Sequence, residues 1–122
     1  MKIGDSCNRI DDAGCRRMAQ SLTVNRTMHT LYLDRNNAGD EFGIEMGKTM
    51  LVNTTLRFLH LADNEIQATG AMALAKALAN NNSLTWLDLS RNNMGNEGAS
   101  EMASNSQKSS IQLLHIVTIA RH

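Results

Sequence analysis

Stretches in which apolar residues recur at every second position alternate along the chain with stretches in which they recur at helical spacing. One stretch of each kind makes up one repeating unit. In one unit, Leu59 and Leu61 alternate with other residues, which is the two-residue period of a strand with one buried face. Asn64 follows, and the spacing then becomes helical, with apolar residues at i, i+3, i+4 and i+7. These helical positions are Ala71, Leu74, Ala75 and Leu78. The preceding unit has Gly43 and Gly47 at two of them, and we expect such small residues to let each helix approach its strand closely.

The pattern recurs along the whole chain and predicts one repeat domain. Its predicted units are 1–27, 28–55, 56–83 and 84–110, followed by a partial unit, 111–122. Asp5 occupies a position where later units have leucine, so the first strand is predicted to be an imperfect edge. The fourth helix is predicted to weaken after Ala103. Neither end has a polar capping unit, which favours a piece or short form of a longer array and ends that self-associate.

Two sets of asparagines recur with the repeat. The first set follows each strand and comprises Asn8, Asn36, Asn64 and Asn92. A buried amide carries donors and an acceptor, so this ladder is predicted to satisfy inward-facing backbone groups where the chain turns. The second set begins three N-x-S/T sequons near the end of each unit, at Asn25, Asn53 and Asn81. These are predicted to take the left-handed conformation that ends a helix rather than to carry glycans.

Each unit has a motif followed by a predicted helix, and the motif is L-x-x-L-x-L-x-x-N-x-L. This arrangement resembles the leucine-rich repeat of the 28-residue, ribonuclease-inhibitor-like class. The resemblance covers residues 2–105. It implies an α/β solenoid, or horseshoe arc, with a parallel sheet on the concave face and helices on the convex face. This class also occurs in the ligand-sensing ends of NOD-like receptors and in Ran GTPase-activating proteins. The resemblance therefore implies a fold, whereas the function depends on the residues that each protein exposes.

Residues that point away from the leucines are predicted to line the concave face, where such repeats bind partners. By strand they are Thr30, Tyr32 and Asp34; Phe58, His60 and Ala62; Trp86, Asp88 and Ser90; and Leu113, His115 and Val117. Three of the chain's four aromatic residues belong to this set. Aromatic side chains dominate protein-binding hot spots, although cross-strand packing of the sheet is the alternative role. The predicted partner-binding residues are Tyr32, Phe58, His60, Trp86 and Asp88, with Arg35 and Arg91 at the rim.

Composition and charge narrow the class of partner. Lys and Arg number 12 and Asp and Glu number 12, so the chain lacks the net positive charge of a nucleic-acid or membrane-surface binder. The longest apolar run, 111–120, has about half the length that spans a bilayer. Cys7 and Cys15 match neither a zinc pattern nor a redox pair, and the chain begins without an apolar signal segment. We expect a cytoplasmic protein with a protein partner and no cofactor.

Catalytic and metal-binding roles are weakly indicated. Arg35 and Arg91 share one repeat position, and either could be proposed as the loop arginine of a GTPase-activating protein. We favour the interpretation that both are solvated charges on the rim. His60, Asp88 and His115 are predicted to form one column across neighbouring strands. No fourth ligand is placed to complete a zinc site, so a polar ladder with a His60–Asp88 contact is favoured.

These observations predict a non-catalytic protein-interaction module or scaffold. Two alternatives remain open, namely a ligand-sensing or autoinhibitory repeat segment of a NOD-like receptor and a fragment of a GTPase-activating protein.

Overall fold

Five short strands alternate with four helices in the part of the chain that the structure describes. This computed structural model describes residues 2–4, 10–106 and 113–115, with side chains from 10 to 105. The strands are β1 (Lys2–Gly4), β2 (Thr30–Tyr32), β3 (Phe58–His60), β4 (Trp86–Asp88) and β5 (Leu113–His115). The helices are α1 (Asp12–Ser21), α2 (Asp40–Met50), α3 (Ala68–Leu78) and α4 (Gly95–Ser106). The expected weakening after Ala103 does not end α4, which continues to Ser106.

The strands form a parallel sheet in the order β1–β2–β3–β4–β5. Thr30, Phe58 and Trp86 are partners in register, so each strand is displaced from its neighbour by one repeat. Trp86 pairs in turn with Leu113, although the fourth unit is one residue shorter than the others. Each parallel connection contains a helix, and each helix packs against the next. The predicted solenoid, with the sheet on its concave face and the helices on its convex face, is confirmed.

The core lies between the sheet and the helices and is almost entirely aliphatic. Leu59 and Leu61 are fully buried, as are their counterparts in the adjacent units, because the Leu-x-Leu alternation turns both side chains inward. Helix α2 contributes Phe42 and Met46, which are also fully buried. Burial of this apolar surface is the main favourable contribution to folding.

The asparagines that follow the strands bridge adjacent repeats. Asn64 Oδ1 accepts hydrogen bonds from the backbone N–H of Asn36, at 3.2 Å, and of Ala38, at 3.0 Å. Its Nδ2 donates to the carbonyl of Leu33, at 2.9 Å, and to that of Leu61, at 3.1 Å. Asn36 and Asn92 are likewise buried and bonded to their own repeat and the preceding one. Asn8 lies outside the described residues.

The sequon asparagines form a second set of bridges, at the opposite end of the strands. Asn53 is 2% exposed, donates to the carbonyl of Leu22 at 2.8 Å, and accepts from the N–H groups of Thr55 and Leu56. Asn81 repeats the arrangement one unit later. The predicted left-handed conformation is wrong for Asn25, Asn53 and Asn81, since the described non-glycine residues with positive φ are Arg35, Asp63 and Arg91. The side-chain amides themselves hold the turn, so left-handed backbone is not required there.

The helix glycines allow close approach between helices, which corrects the expected approach of helix to strand. A Cβ at Gly43 would lie 2.7 Å from Gly70 Cα, and one at Gly47 would lie 3.0 Å from the carbonyl oxygen of Ala73. Both neighbours belong to α3. The small residues therefore set the separation between successive repeats on the convex side.

Two aspartates cap the helix of the following repeat. Asp12 Oδ1 accepts from the backbone N–H of Gly39, at 2.8 Å, and of Phe42, at 3.0 Å. Asp40 Oδ1 does the same for Gln67, at 2.8 Å, and Gly70, at 2.9 Å. Each carboxylate thus satisfies orphan donors at the positive end of the next helix. The equivalent residue on α3 is Ala68, which has no side-chain acceptor to cap α4.

Replacing Asn64 by alanine should lower the free energy of unfolding by about 3 kcal/mol, because buried N–H and C=O groups of two repeats would lose their partners. Urea unfolding followed by circular dichroism measures the change. Asn93→Ala is the matched control, since this neighbouring amide is exposed. Equal stabilities of the two variants would contradict the bridging role.

Replacing Ala68 by aspartate should raise the free energy of unfolding by about 1 kcal/mol, because the new carboxylate would cap α4 as Asp40 caps α3. Thr69→Asp is the control, since it adds the same charge one residue further along at an exposed site. Thermal and urea unfolding of both variants test the idea. An equal effect of the two aspartates would show that charge alone, without the cap, is responsible.

Candidate partner-binding face

A row of three rings crosses the concave face. Tyr32 stacks on His60 with a ring-centroid distance of 4.4 Å and an interplanar angle of 21°. His60 contacts Trp86 at 5.9 Å and 37°. Tyr32 and His60 are partners in the β2–β3 register, whereas Trp86 lies diagonally from His60 on β4. All three side chains are partly exposed, so the row presents ring surface to solvent.

Phe58 lies beside this row at the start of β3. It is opposite Thr30 on one side and Trp86 on the other. Its side chain is 40% exposed, which places it among the four large apolar residues that the described part of the chain leaves exposed. An exposed phenylalanine next to three partly exposed rings adds apolar surface to the face.

Two carboxylates flank the rings, and the sheet backbone fixes one of them. Asp34 Oδ1 accepts a hydrogen bond from the N–H of Ala62 at 2.8 Å. Burial raises the pKa of Asp34 above its usual value of 3.8. The bond to Ala62 and the charges of His60 and Arg35 oppose this rise, whereas the negative charge of Asp88 adds to it.

The carboxylate of Asp88 accepts hydrogen bonds from a residue just after its own strand. Its Oδ1 accepts from the Ser90 hydroxyl at 2.7 Å and from the Ser90 N–H at 3.0 Å. Asp88 is opposite His60 in the register, but no ion pair joins these two described residues, because the imidazole lies between two other rings. The expected column of His60 and Asp88 is present in the register, but His60 stacks on Tyr32 and forms no ion pair with the Asp88 carboxylate.

The rim of the face consists of Arg35, Asp63 and Arg91, which share one repeat position. All three have left-handed backbone, with φ of 57°, 61° and 55°. At a non-glycine residue this backbone conformation raises the free energy by about 1 kcal/mol. It directs the next residue, a ladder asparagine, into the core. Arg91 Nε lies 3.9 Å from Asp63 Oδ2. Because both side chains are partly exposed, the pair contributes little to stability and leaves its charges accessible to solvent.

The structure thus groups the predicted residues in two places. His60 contacts both Tyr32 and Trp86, and Phe58 and Asp88 lie beside them in the register, whereas the two arginines lie apart on the rim. The predicted side chains on β5 and Val117 lie outside what the structure describes. The left-handed rim, the aspartate caps and the hydrogen bonds of the sequon asparagines were not predicted from the sequence. The caps left a signal, an aspartate at the same position of two successive units, and the sequon asparagines recur at one position of three units.

Neither a metal site nor a membrane span is visible in the described residues. No three or more His, Cys, Asp or Glu side chains among them are grouped so that they could hold a metal ion. The helices described are too short and too polar to cross a bilayer.

Replacing Asp34 by asparagine should stabilise the protein at neutral pH. The folded state raises the pKa of this carboxyl, so ionisation opposes folding above the raised pKa, and the penalty disappears as the pH falls through it toward 3.8. Asparagine keeps the acceptor for the Ala62 N–H without the charge. The stability difference from wild type, measured by urea unfolding, should therefore vanish below pH 3.8. A difference that does not vary with pH would contradict this account.

Comparisons with known proteins agree with the geometry. A family model described as Leucine Rich repeat matches residues 52–75 and 80–103. No curated protein matches the chain. A solved structure named Leiomodin-1 Actin-Binding Site 2 is similar, with a TM-score of 0.87 and 22% sequence identity, over 97% of this chain and 70% of the other.

A second similar structure is the tropomodulin C-terminal domain of Caenorhabditis elegans. Its TM-score is 0.83 and its identity 12%, over 98% of this chain and 74% of the other. At these identities the likeness concerns the fold. With the sequence repeat, the two matched segments and the parallel solenoid in agreement, the chain contains leucine-rich repeats and has the leucine-rich repeat fold.

Proposed function

We propose that the chain is a non-catalytic protein-binding module whose partner docks on the concave face. The observation that carries the proposal is the ring row Tyr32–His60–Trp86 with Phe58 exposed beside it. Large aromatic side chains supply contact area at low conformational cost and are enriched at binding hot spots.

The geometry of the row supports binding over a role in sheet packing alone. Stacking of Tyr32 on His60 stabilises the sheet whether or not a partner is present. Packing does not account for Phe58, whose side chain remains 40% exposed on the same face. Rings that already support one another lose little further freedom on binding, which favours a preformed surface.

Charges around the rings would orient the partner. Asp34 and Asp88 flank the rings, and Arg35 and Arg91 lie on the rim. Such an arrangement adds specificity and association rate more than affinity. A partner with basic groups toward the rings and an acidic group toward the rim would match it.

Actin is the first partner to test, because a structural neighbour is named for an actin-binding site. The shared fold motivates the test, and the rings of this chain supply the specific hypothesis. We also propose a cytoplasmic setting, because the two cysteines of the chain match neither a zinc pattern nor a redox pair.

Replacing Tyr32, Phe58 and Trp86 together by alanine should abolish partner binding, because the apolar area of the concave face would be lost. Binding is measured first by co-sedimentation with filamentous actin and by pull-down of monomeric actin. If the wild type binds neither form, actin is excluded, and the partner is sought by affinity capture and mass spectrometry. The same variant is then compared on the captured partner.

The control for this experiment combines Arg17→Ala and Val24→Ala, two exposed positions away from the concave face. Circular dichroism of both proteins establishes that each remains folded. Retained binding by a folded triple variant would refute the concave-face proposal, and equal loss in the control would assign the effect to the fold.

A further inference from the structure

A groove separates α2 from α3 on the convex side of the solenoid. It has a volume of about 330 Å³. Ile44, Gly47 and Leu51 form one wall, and Ala73 and Ala77 form the other. These residues recur at helical spacing on each helix, so the groove follows two parallel helices for about two turns, roughly 10 Å.

Small residues give the groove its depth. A Cβ at Gly47 would lie 3.0 Å from the Ala73 carbonyl oxygen and 3.8 Å from its Cβ, so the helices approach closely there. At the end of the groove, Leu51 is 57% exposed and the adjacent Val52 is 52% exposed. An apolar groove thus continues into exposed aliphatic side chains.

The neighbouring repeats carry polar or charged residues at several of the equivalent positions. The residues equivalent to Ala73 are Glu45 on α2 and Glu101 on α4. The residues equivalent to Ile44 and Lys48 on α1 are Arg16 and Gln20. The repeats on either side therefore place polar or charged groups where the α2–α3 groove is apolar.

The two charged residues that line the groove are lysines. Lys48 and Lys76 share one repeat position and line the two sides of the groove. Lys48 lies 3.7 Å from Glu45 but is 69% exposed, and no described carboxylate pairs with Lys76. The sequence has no Asp or Glu from 46 to 62 or from 66 to 87. Lysines also complement the negative ends of α2 and α3, but that role does not explain the exposed Leu51 and Val52.

We propose that this groove is a second docking surface and that its occupant is an acidic amphipathic helix of a partner protein. The apolar side chains of that helix would enter the groove, and its carboxylates would lie against Lys48 and Lys76. Binding of an amphipathic helix in a groove is a common mode of peptide recognition. The groove is on the opposite side from the aromatic row, so the two surfaces can be occupied independently.

The test uses the full chain and a synthetic helical peptide with leucine at i, i+3, i+4 and i+7 and glutamate at its other exposed positions. Amide chemical shifts of Gly47 and Ala73 report binding at the groove. We expect saturable shifts that weaken with salt. Lys48→Glu combined with Lys76→Glu should reduce the affinity by about ten-fold or more, since both lysine charges that face the peptide's glutamates are reversed.

Matched controls distinguish binding of the peptide in the groove from non-specific hydrophobic association. Leu51→Asp should abolish the shifts, whereas Val24→Asp, at an exposed valine outside the groove, should leave them unchanged. A scrambled peptide without an apolar face and a peptide with lysine in place of glutamate should not bind.

Three results would overturn the proposal. The first is an absence of saturable shifts at Gly47 and Ala73, and the second is equal binding of the acidic and basic peptides. The third is binding to vesicles of phosphatidylcholine and phosphatidylserine without binding to the peptide, which would assign the surface to an anionic membrane. None of these measurements depends on the concave face, so the proposal can fail without affecting the proposed function.

Discussion

The side-chain amide of a buried asparagine is the interaction on which the stack of repeats depends. After each strand the chain turns with backbone N–H and C=O groups directed into the protein, where water cannot satisfy them. Asn64 provides an acceptor and two donors at one point, and it bonds to both its own repeat and the preceding one. Asn53 and Asn81 do the same at the other end of the strands. Polar bonds thus fix both ends of each repeat, while leucines fill the space between them.

These internal bonds determine what the outer surface looks like. Because they hold adjacent repeats at a fixed offset, the strands pair in register, and equivalent residues of adjacent repeats lie side by side. The stacking of Tyr32 on His60 is one result of that register. The left-handed turn at Arg35 and Arg91 acts together with these bonds, since it directs the following asparagine inward and leaves the arginine on the rim. The proposed binding face is therefore arranged by the same constraint that holds the core.

Sequence alone could predict the parts of this structure that rest on local spacing. Leu59 and Leu61 predict a strand, and the recurrence of asparagine predicts a buried polar group in each repeat. Contacts between repeats were harder to predict, because an aspartate such as Asp40 caps the helix of the following repeat rather than its own. The left-handed backbone at Asp63 could not be read from the sequence either, because the residue is not a glycine. For His60, the register was predictable but the choice between Asp88 and the neighbouring rings depended on side-chain packing.

In a regular repeat, equivalent residues of different units can be compared with one another, because they lie in nearly the same surroundings. Where all repeats carry the same residue type, stacking accounts for it, as it does for the ladder asparagines. Where one helix departs from its neighbours, stacking does not dictate the residue. Helix α3 departs twice, with Ala68 in place of an aspartate and Ala73 in place of a glutamate. The first change removes a cap from α4 and the second opens an apolar groove. Since the fold tolerates a carboxylate at the position of Ala73 in α2 and α4, the apolar groove is a property of this surface rather than a requirement of the solenoid.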